Sequence, residues 1–275
     1  MTNRAGQSVP ADGGDILLRE DQGAICRLKL NAPVALNALS EAMLDRLIDE
    51  FADLANDRTI RAVTISGSGK AFCAGHDLKE MTTGRQSEDG GRAYFAALFE
   101  KCASMMMSIR KLPQPVIAQV HGIATAAGCQ LVATCDLAVA DEEARFGVNG
   151  VNIGLFCSTP MVALSRNIPA KQAFEMLTTG EFICAERARE LGLVNRVVPS
   201  ARLEDETLEM ADILAEKLGA AVAIGKEAFY NQMEMGLADA YAYTGTVMTE
   251  NMLYRETEKG IAAFIDKRPP DWNQP

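Results

Sequence analysis

Histidine is almost missing from this chain: two occur in 275 residues, His76 and His121. That scarcity excludes a histidine-rich metal centre, and no metal site is expected. Seven cysteines, at positions 26, 73, 102, 129, 135, 157 and 184, form no CxxC pair and no zinc spacing. Most sit in apolar company and read as buried reduced thiols, which implies a reducing compartment and a cytoplasmic location. No apolar run approaches the ~18 residues of a membrane-spanning helix. Aromatic residues make up only 6% against 48% hydrophobic overall, so the core is aliphatic. Positive charge is in deficit, 27 Lys and Arg against 37 Asp and Glu, for a net charge of −10. This disfavours nucleic acid or an anionic membrane as partner, yet leaves room for an anionic small molecule on a local basic cluster. Residues 1–15 carry one Arg and no apolar stretch, and read as a disordered lead without a secretory or transit signal.

What is present alternates. Ile16–Leu18 and Ala24–Leu30 read as paired strands about a turn at Asp21-Gln22-Gly23. Ser40 stands as an N-cap before a helix with Met43, Leu44, Leu47, Ile48, Phe51 and Leu54 on one face. Strands are expected at Ile60–Ser66, Val116–Val120, Leu137–Ala140 and Asn195–Val198, and a helix from about Arg92 to Arg110, closed by Pro113 and Pro115. Thr82–Gly91, with three glycines, reads as a mobile loop. From Leu203 onward only helical patterns remain. The chain therefore divides into the lead (1–15), an α/β core (16–200) and a helical C-terminal region (201–275).

Two stretches carry the chemistry: Lys70-Ala71-Phe72-Cys73-Ala74-Gly75-His76-Asp77-Leu78-Lys79 and His121-Gly122-Ile123-Ala124-Thr125-Ala126-Ala127-Gly128-Cys129-Gln130. Each has the form strand, tight turn of small residues, helix. Such turns leave backbone N–H groups free at a helix start, where two that converge can hold a developing oxyanion.

With these blocks, Leu36-Asn37-Ala38-Leu39, Cys135-Asp136, Ala144-Arg145-Phe146-Gly147, the run from Leu177 to Pro199 and Phe264–Pro269, the sequence resembles the enoyl-CoA hydratase/isomerase, or crotonase, superfamily over roughly Ile16 to Arg268. The resemblance implies an α/β spiral of repeated ββα units whose C-terminal helices assemble homotrimers, often paired into hexamers. It implies an acyl-CoA or enoyl-CoA substrate of fatty acid metabolism, lyase or isomerase chemistry, and no cofactor beyond the CoA moiety. By position, His76 and Ala127 supply the oxyanion-hole N–H groups. Pro33, Val34, Ala35 and Leu36, with Ala74, His76, Asp77, Leu78 and Lys79, line the adenine and pantetheine path, and Lys267 or Arg268 meets CoA phosphates.

The chain departs from that pattern at two positions. Where the family's hydratases carry paired glutamates, it has Gln130 and Gly150. Gln orients by hydrogen bonds but takes no proton at neutral pH, and Gly does neither. Ordinary two-glutamate hydration is therefore not expected, and replacing both positions by Glu is expected to create it. Asn149, Asn152, Cys157 and Ser158 are the nearby stand-ins. Ser158 reads either as a catalytic group or, with Thr159, as a helix cap; Cys157 reads as a nucleophile or an inert buried thiol; His121 reads as structural. A catalytically inactive acyl-CoA-binding or regulatory relative is the alternative function.

Overall fold

The computed structural model describes residues 14–270 and 272. The chain opens with a hairpin, β1 (Leu17–Gln22) antiparallel to β2 (Ile25–Leu30). Strand β2 alternates as its sequence does: Cys26, Leu28 and Leu30 are buried, while Lys29 is exposed. After a 3-10 turn at Pro33–Ala35 comes α1 (Glu41–Asn56), started by Ser40, whose Oγ accepts from the Met43 N–H at 3.2 Å. Its Met43, Leu44, Leu47, Phe51 and Leu54 are wholly buried.

The chain continues through β3 (Ala62–Gly67), α2 (Leu78–Gly84), α3 (Arg92–Lys111), β4 (Val116–Val120), β5 (Ile123–Thr125), α4 (Ala127–Thr134), β6 (Leu137–Asp141) and β7 (Arg145–Gly147). A 3-10 segment, Asn149–Ile153, leads to α5 (Ser158–Asn167), α6 (Ala170–Thr179), β8 (Ile183–Cys184), α7 (Ala185–Leu191) and β9 (Arg196–Val198). Then follow α8 (Leu203–Ala215), α9 (Gly219–Gln232), α10 (Leu237–Met252) and α11 (Arg255–Ile265). The larger sheet runs β1-β2-β3-β4-β6-β9, parallel from β2 onward; the smaller runs β5-β7-β8. The resulting architecture is α/β, as the alternation of strands and helices predicts.

The main core lies between the larger sheet and α1, α3 and α4, and includes Leu28, Leu47, Ile65, Met105 and Leu131. The opposite face of that sheet is covered by α8, whose Leu203, Met210 and Ala211 meet Ile25, Ala62, Ile117 and Val139. Among the described residues no helix is long and apolar enough to cross a membrane. The expected disordered lead falls at 1–15, of which 1–13 lie outside the described residues.

The loop reading of Thr82–Gly91 needs correction. Thr82, Thr83 and Gly84 close α2, and the rest is a series of turns. Gly84 ends α2, and its lack of a side chain makes room for the Tyr94 ring: a β carbon there would stand 2.3 Å from Cδ1. Asp89 then fixes the start of α3, accepting from the Gly91 and Ala93 N–H groups at 3.0 and 2.8 Å.

Candidate active site

The two singled-out turns meet. Cys73 pairs with the second stretch through Cys73 N–H to Ile123 O (3.1 Å) and Thr125 N–H to Cys73 O (3.0 Å). Gly75 has φ +90°, and a β carbon on it would stand 3.3 Å from the Ala127 nitrogen and 3.2 Å from Thr125 O. Only glycine lets the turns approach this closely. Gly128 packs tighter still: its β carbon would fall 2.1 Å from Cys73 O.

Ala126, just before α4, has φ +50° and ψ −120°, a region that residues with a side chain seldom occupy. Its own N–H is tied to Gly147 O at 2.9 Å, but that of Ala127 finds no acceptor among the described residues, and neither does that of His76. The strain therefore sits where α4 begins, beside a free N–H. In the first turn the helix-start amides are not free. The Asp77 carboxylate caps Lys79 N–H (2.8 Å) and Glu80 N–H (3.4 Å), so the N-terminus of α2 is closed by its own aspartate. The unpaired donor is one residue earlier, at His76.

Asn37 clamps the surroundings. Wholly buried, it accepts from Ala32 N–H at 2.9 Å and donates to Ser68 O and Ala71 O at 2.8 and 2.7 Å. It thereby joins the Pro33–Ala35 turn to the first stretch, as do Ala74 N–H to Leu36 O (3.0 Å) and Leu39 N–H to Gly75 O (2.7 Å). Pro33, Val34, Ala35 and Leu36 are thus brought beside Ala74–Lys79, and Val34 is 90% exposed. The Leu36-Asn37-Ala38-Leu39 block carries this residue, but its clamping role depends on loops far from it in sequence. Lys267 and Arg268 lie on the exposed end of the chain beyond α11, and among the described residues no hydrogen bond or ion pair joins either to the two turns.

His76 is half-buried. Its Nδ1 lies 3.3 Å from Leu39 O, and since a carbonyl only accepts, the proton is on Nδ1. Nε2 then carries the lone pair, buried and without a partner among the described residues. The ring stands edge-on to Phe99 at 5.8 Å. Burial lowers its pKa below the ordinary 6.5, against a smaller opposing effect of the Leu39 carbonyl. His121 Nε2 lies 3.0 Å from Gly69 O, joining the end of β4 to the loop before the first turn.

Gln130 is 6% exposed and its Oε1 has no hydrogen-bond partner among the described residues. It lines a cavity of about 690 Å³. Gly150 is more than a missing carboxylate. A β carbon there would lie 2.2 Å from Leu155 O and 2.8 Å from Cys157 Sγ, so backbone occupies the space a side chain would need. The expectation that Glu at both positions restores hydration is therefore corrected: residue 150 has no room for it. Asn149 accepts from Thr125 Oγ1 at 2.6 Å and Asn152 donates to Gly180 O at 3.3 Å, so both are engaged. Ser158 is not a cap. Helix α5 begins at Ser158 with Cys157 in the cap position, no side chain caps it, and Ser158 Oγ reaches only Phe156 O at 3.4 Å. Burial pushes the Cys157 thiol up, and it pushes Cys73, Cys102 and Cys129 up to about 12, which leaves all four protonated.

Comparison with known proteins identifies the family. The Enoyl-CoA hydratase/isomerase family model matches residues 20–275. The chain belongs to that family. It is 46% identical over 256 residues to enoyl-CoA hydratase domain-containing protein 3, mitochondrial, of Xenopus laevis, covering 93% of this chain and 85% of the relative. A crystal structure of an enoyl-CoA hydratase from Mycobacterium smegmatis superposes with TM-score 0.91 at 54% identity, covering 95% of this chain and 100% of the other. The human enoyl-CoA hydratase domain-containing protein 3 structure gives 0.89 at 44%, covering 94% and 100%. These relatives correct one expectation. The Xenopus laevis, human and mouse proteins are named mitochondrial, so buried reduced thiols do not carry a cytoplasmic assignment.

Proposed function

We propose that this chain is an acyl-CoA enzyme of the hydratase/isomerase type, holding the thioester oxygen between the His76 and Ala127 N–H groups and stabilising an enolate. The observation that carries this is the pair of unpaired amides on turns that meet across Gly75. A donor of this kind is worth roughly 3–4 kcal/mol in the transition state. Pro33–Leu36, beside the first turn, offers the path for the pantetheine arm; the phosphates go to Lys267 or Arg268. The test follows α-proton exchange of acyl-CoA in D2O, together with enoyl-CoA loss and 3-enoyl isomerisation. Activity above an Ala127→Pro control, which deletes one donor, supports the reading, and activity equal to that control sinks it.

A second reading, a non-catalytic acyl-CoA binder, is favoured by the blocked space at Gly150 and by Gln130, which takes no proton. Binding by calorimetry without exchange or turnover would select it.

Self-association through the C-terminal helices forms part of the same proposal. Leu237, Tyr241, Met248 and Met252 are 77%, 74%, 71% and 52% exposed. Their spacing puts them on one side of α10. An apolar stripe of this kind marks an interface. Sedimentation at micromolar concentration should give a trimer or hexamer, and a monomer would refute the assembly.

A further inference from the structure

A second cavity, of about 700 Å³, lies at the other pole of the larger sheet. We propose that it is a binding site for a small phosphomonoester that also carries hydroxyl groups, in chemical class a sugar phosphate.

Arg61 directly precedes β3, Pro113 and Gln114 come just before β4, and all three line the cavity. The two turns of the candidate active site follow the far ends of the same parallel strands. Strands of this length put about 15–20 Å between the two places. The cavity is therefore separate from the turns that carry the His76 and Ala127 N–H groups. Its volume lies within the roughly 300–1,000 Å³ of ordinary small-molecule pockets.

Positive charge gathers there without a partner. Arg58 and Arg61 both line the cavity. Neither makes an ion pair among the described residues, and Arg61 Nη1 reaches only Lys217 O, at 3.4 Å. Helix α9 starts at the same place: Leu218, Gly219 and Ala220 line the cavity, no side chain caps the helix and no acid stands in its first turn. Gly219 brings the two together. A β carbon on it would stand 2.7 Å from Arg61 Nη1, so the guanidinium lies against the helix start. A guanidinium and a helix N-terminus carry the same sign and repel until an anion joins them. The carboxylates of the lining do not fill that role. Asp57 accepts from Thr59 N–H and Oγ1 at 2.8 and 2.6 Å and lies 3.5 Å from Arg19, while Glu256 stands in the first turn of its own helix, α11. Phosphate suits the gap, because helix-start N–H groups and a forked guanidinium both donate to its oxygens.

An observation independent of charge adds the hydroxyl. Gln114 is 4% exposed, and its Nε2 is committed to Leu54 O and Asp57 O at 2.8 and 2.9 Å. Both partners are carbonyls, so the amide orientation is fixed. Its Oε1 is left as an acceptor with no donor among the described residues. A buried acceptor without a donor is costly, and a ligand O–H relieves that cost. Tyr254 and Trp272 complete the lining. Trp272 is fastened in place: Nε1 donates to Glu216 O at 3.1 Å, and its ring meets Gly260, where a β carbon would stand 2.9 Å from Cη2.

Trp272 is the chain's single tryptophan, so its emission reports on this cavity. The experiment titrates the full chain with ribose 5-phosphate, inorganic phosphate and ribose, with calorimetry for affinity and Trp272 fluorescence for location. Ribose 5-phosphate should bind about threefold or more tighter than inorganic phosphate, and ribose should not bind. Arg58→Gln and Arg61→Gln should each weaken ribose 5-phosphate by about tenfold or more. Neither side chain is buried, so both variants should fold, with circular dichroism as control. If ribose 5-phosphate gives neither heat nor a change in emission at millimolar concentration, the inference is overturned. It is overturned equally if the double variant binds as the parent does, since the phosphate then sits elsewhere on the chain. If inorganic phosphate binds as tightly as ribose 5-phosphate, the cavity holds an adventitious ion only. If the variants change the sedimenting mass and ribose 5-phosphate does not bind, the cavity is an interface between copies and the inference falls. None of these outcomes touches the thioester reading, which rests on His76 and Ala127.

Discussion

Gly75 and Ala127 are in contact across the two turns: a β carbon on Gly75 would stand 3.3 Å from the Ala127 nitrogen. The glycine therefore does two things. It adopts φ +90°, which residues with a side chain adopt only under strain, and it leaves the Ala127 N–H uncovered. Gly75→Ala should lower the rate of α-proton exchange by about 10²–10³, the loss expected for one oxyanion donor. It should also cost about 1–3 kcal/mol of stability through the strained backbone. Exchange rates by mass spectrometry and a urea titration separate the two effects. Unchanged exchange in a folded variant would show that the Ala127 N–H is not a donor.

Gly150 is constrained by packing, since its missing side chain would collide with Leu155 O at 2.2 Å. Gly150→Ala should therefore destabilise by about 1–3 kcal/mol through overpacking. Gly150→Glu should be worse and yield no hydration of crotonyl-CoA. Thermal unfolding of the two variants checks the order. A Gly150→Glu protein that is as stable as its parent and hydrates crotonyl-CoA would overturn this account.

Much of the site was legible in the residue order, because its parts are local. The two strand–turn–helix stretches, the Ser40 cap and the helical region after residue 200 each follow from patterns within about a dozen residues. What escaped is what depends on residues far apart. Strands β5, β7 and β8 are three, three and two residues long, too short to show a period of two. Gly84 reads as a loop residue in the sequence, whereas in the fold it ends α2 and leaves room for the ring of Tyr94, ten positions on. The cavity beside Gln130 is assembled from four helices, and Leu155 O fills the space at Gly150 only because the intervening chain turns back. Six of the seven thiols are buried and Cys184 is half-buried, but burial describes packing and not compartment.

His76 gives the fold a pH dependence whose sign is fixed. Burial lowers its folded pKa below 6.5, so in the acidic range the unfolded chain holds a proton that the folded one does not. Its contribution to stability is full above pH 6.5 and is lost as pH falls from there through the folded pKa. Urea unfolding at pH 7 and pH 5.5 should show a smaller loss of stability for His76→Gln than for the parent. Equal losses would show that the ring is not held neutral. In nitrogen NMR the parent should show Nδ1 protonated at pH 7, as its contact with Leu39 O requires.

Lys226 ties α9 to the body of the protein and so holds one wall of the cavity beside Gln130. Its Nζ lies 2.6 Å from Asp136 Oδ2 and donates to Ile109 O and Gln114 O, both at 2.9 Å. Tyr230 OH donates to Asp136 Oδ1 at 2.6 Å, and Val116 N–H to Oδ2 at 2.7 Å. The side chains of Lys226 and Asp136 are 6% and 12% exposed, so removing one leaves the other charged in a poorly hydrated place. Lys226→Met should therefore cost about 3–5 kcal/mol, and the double change with Asp136→Leu distinctly less than the sum of the two singles. Amide exchange should accelerate first in Gly219–Gln232, since α9 loses its inward anchor before the sheet loses anything. Additive costs in the cycle would mean that the lysine and the aspartate act independently. Acceleration spread evenly over the chain would mean that the pair supports the whole fold and not the wall that α9 forms.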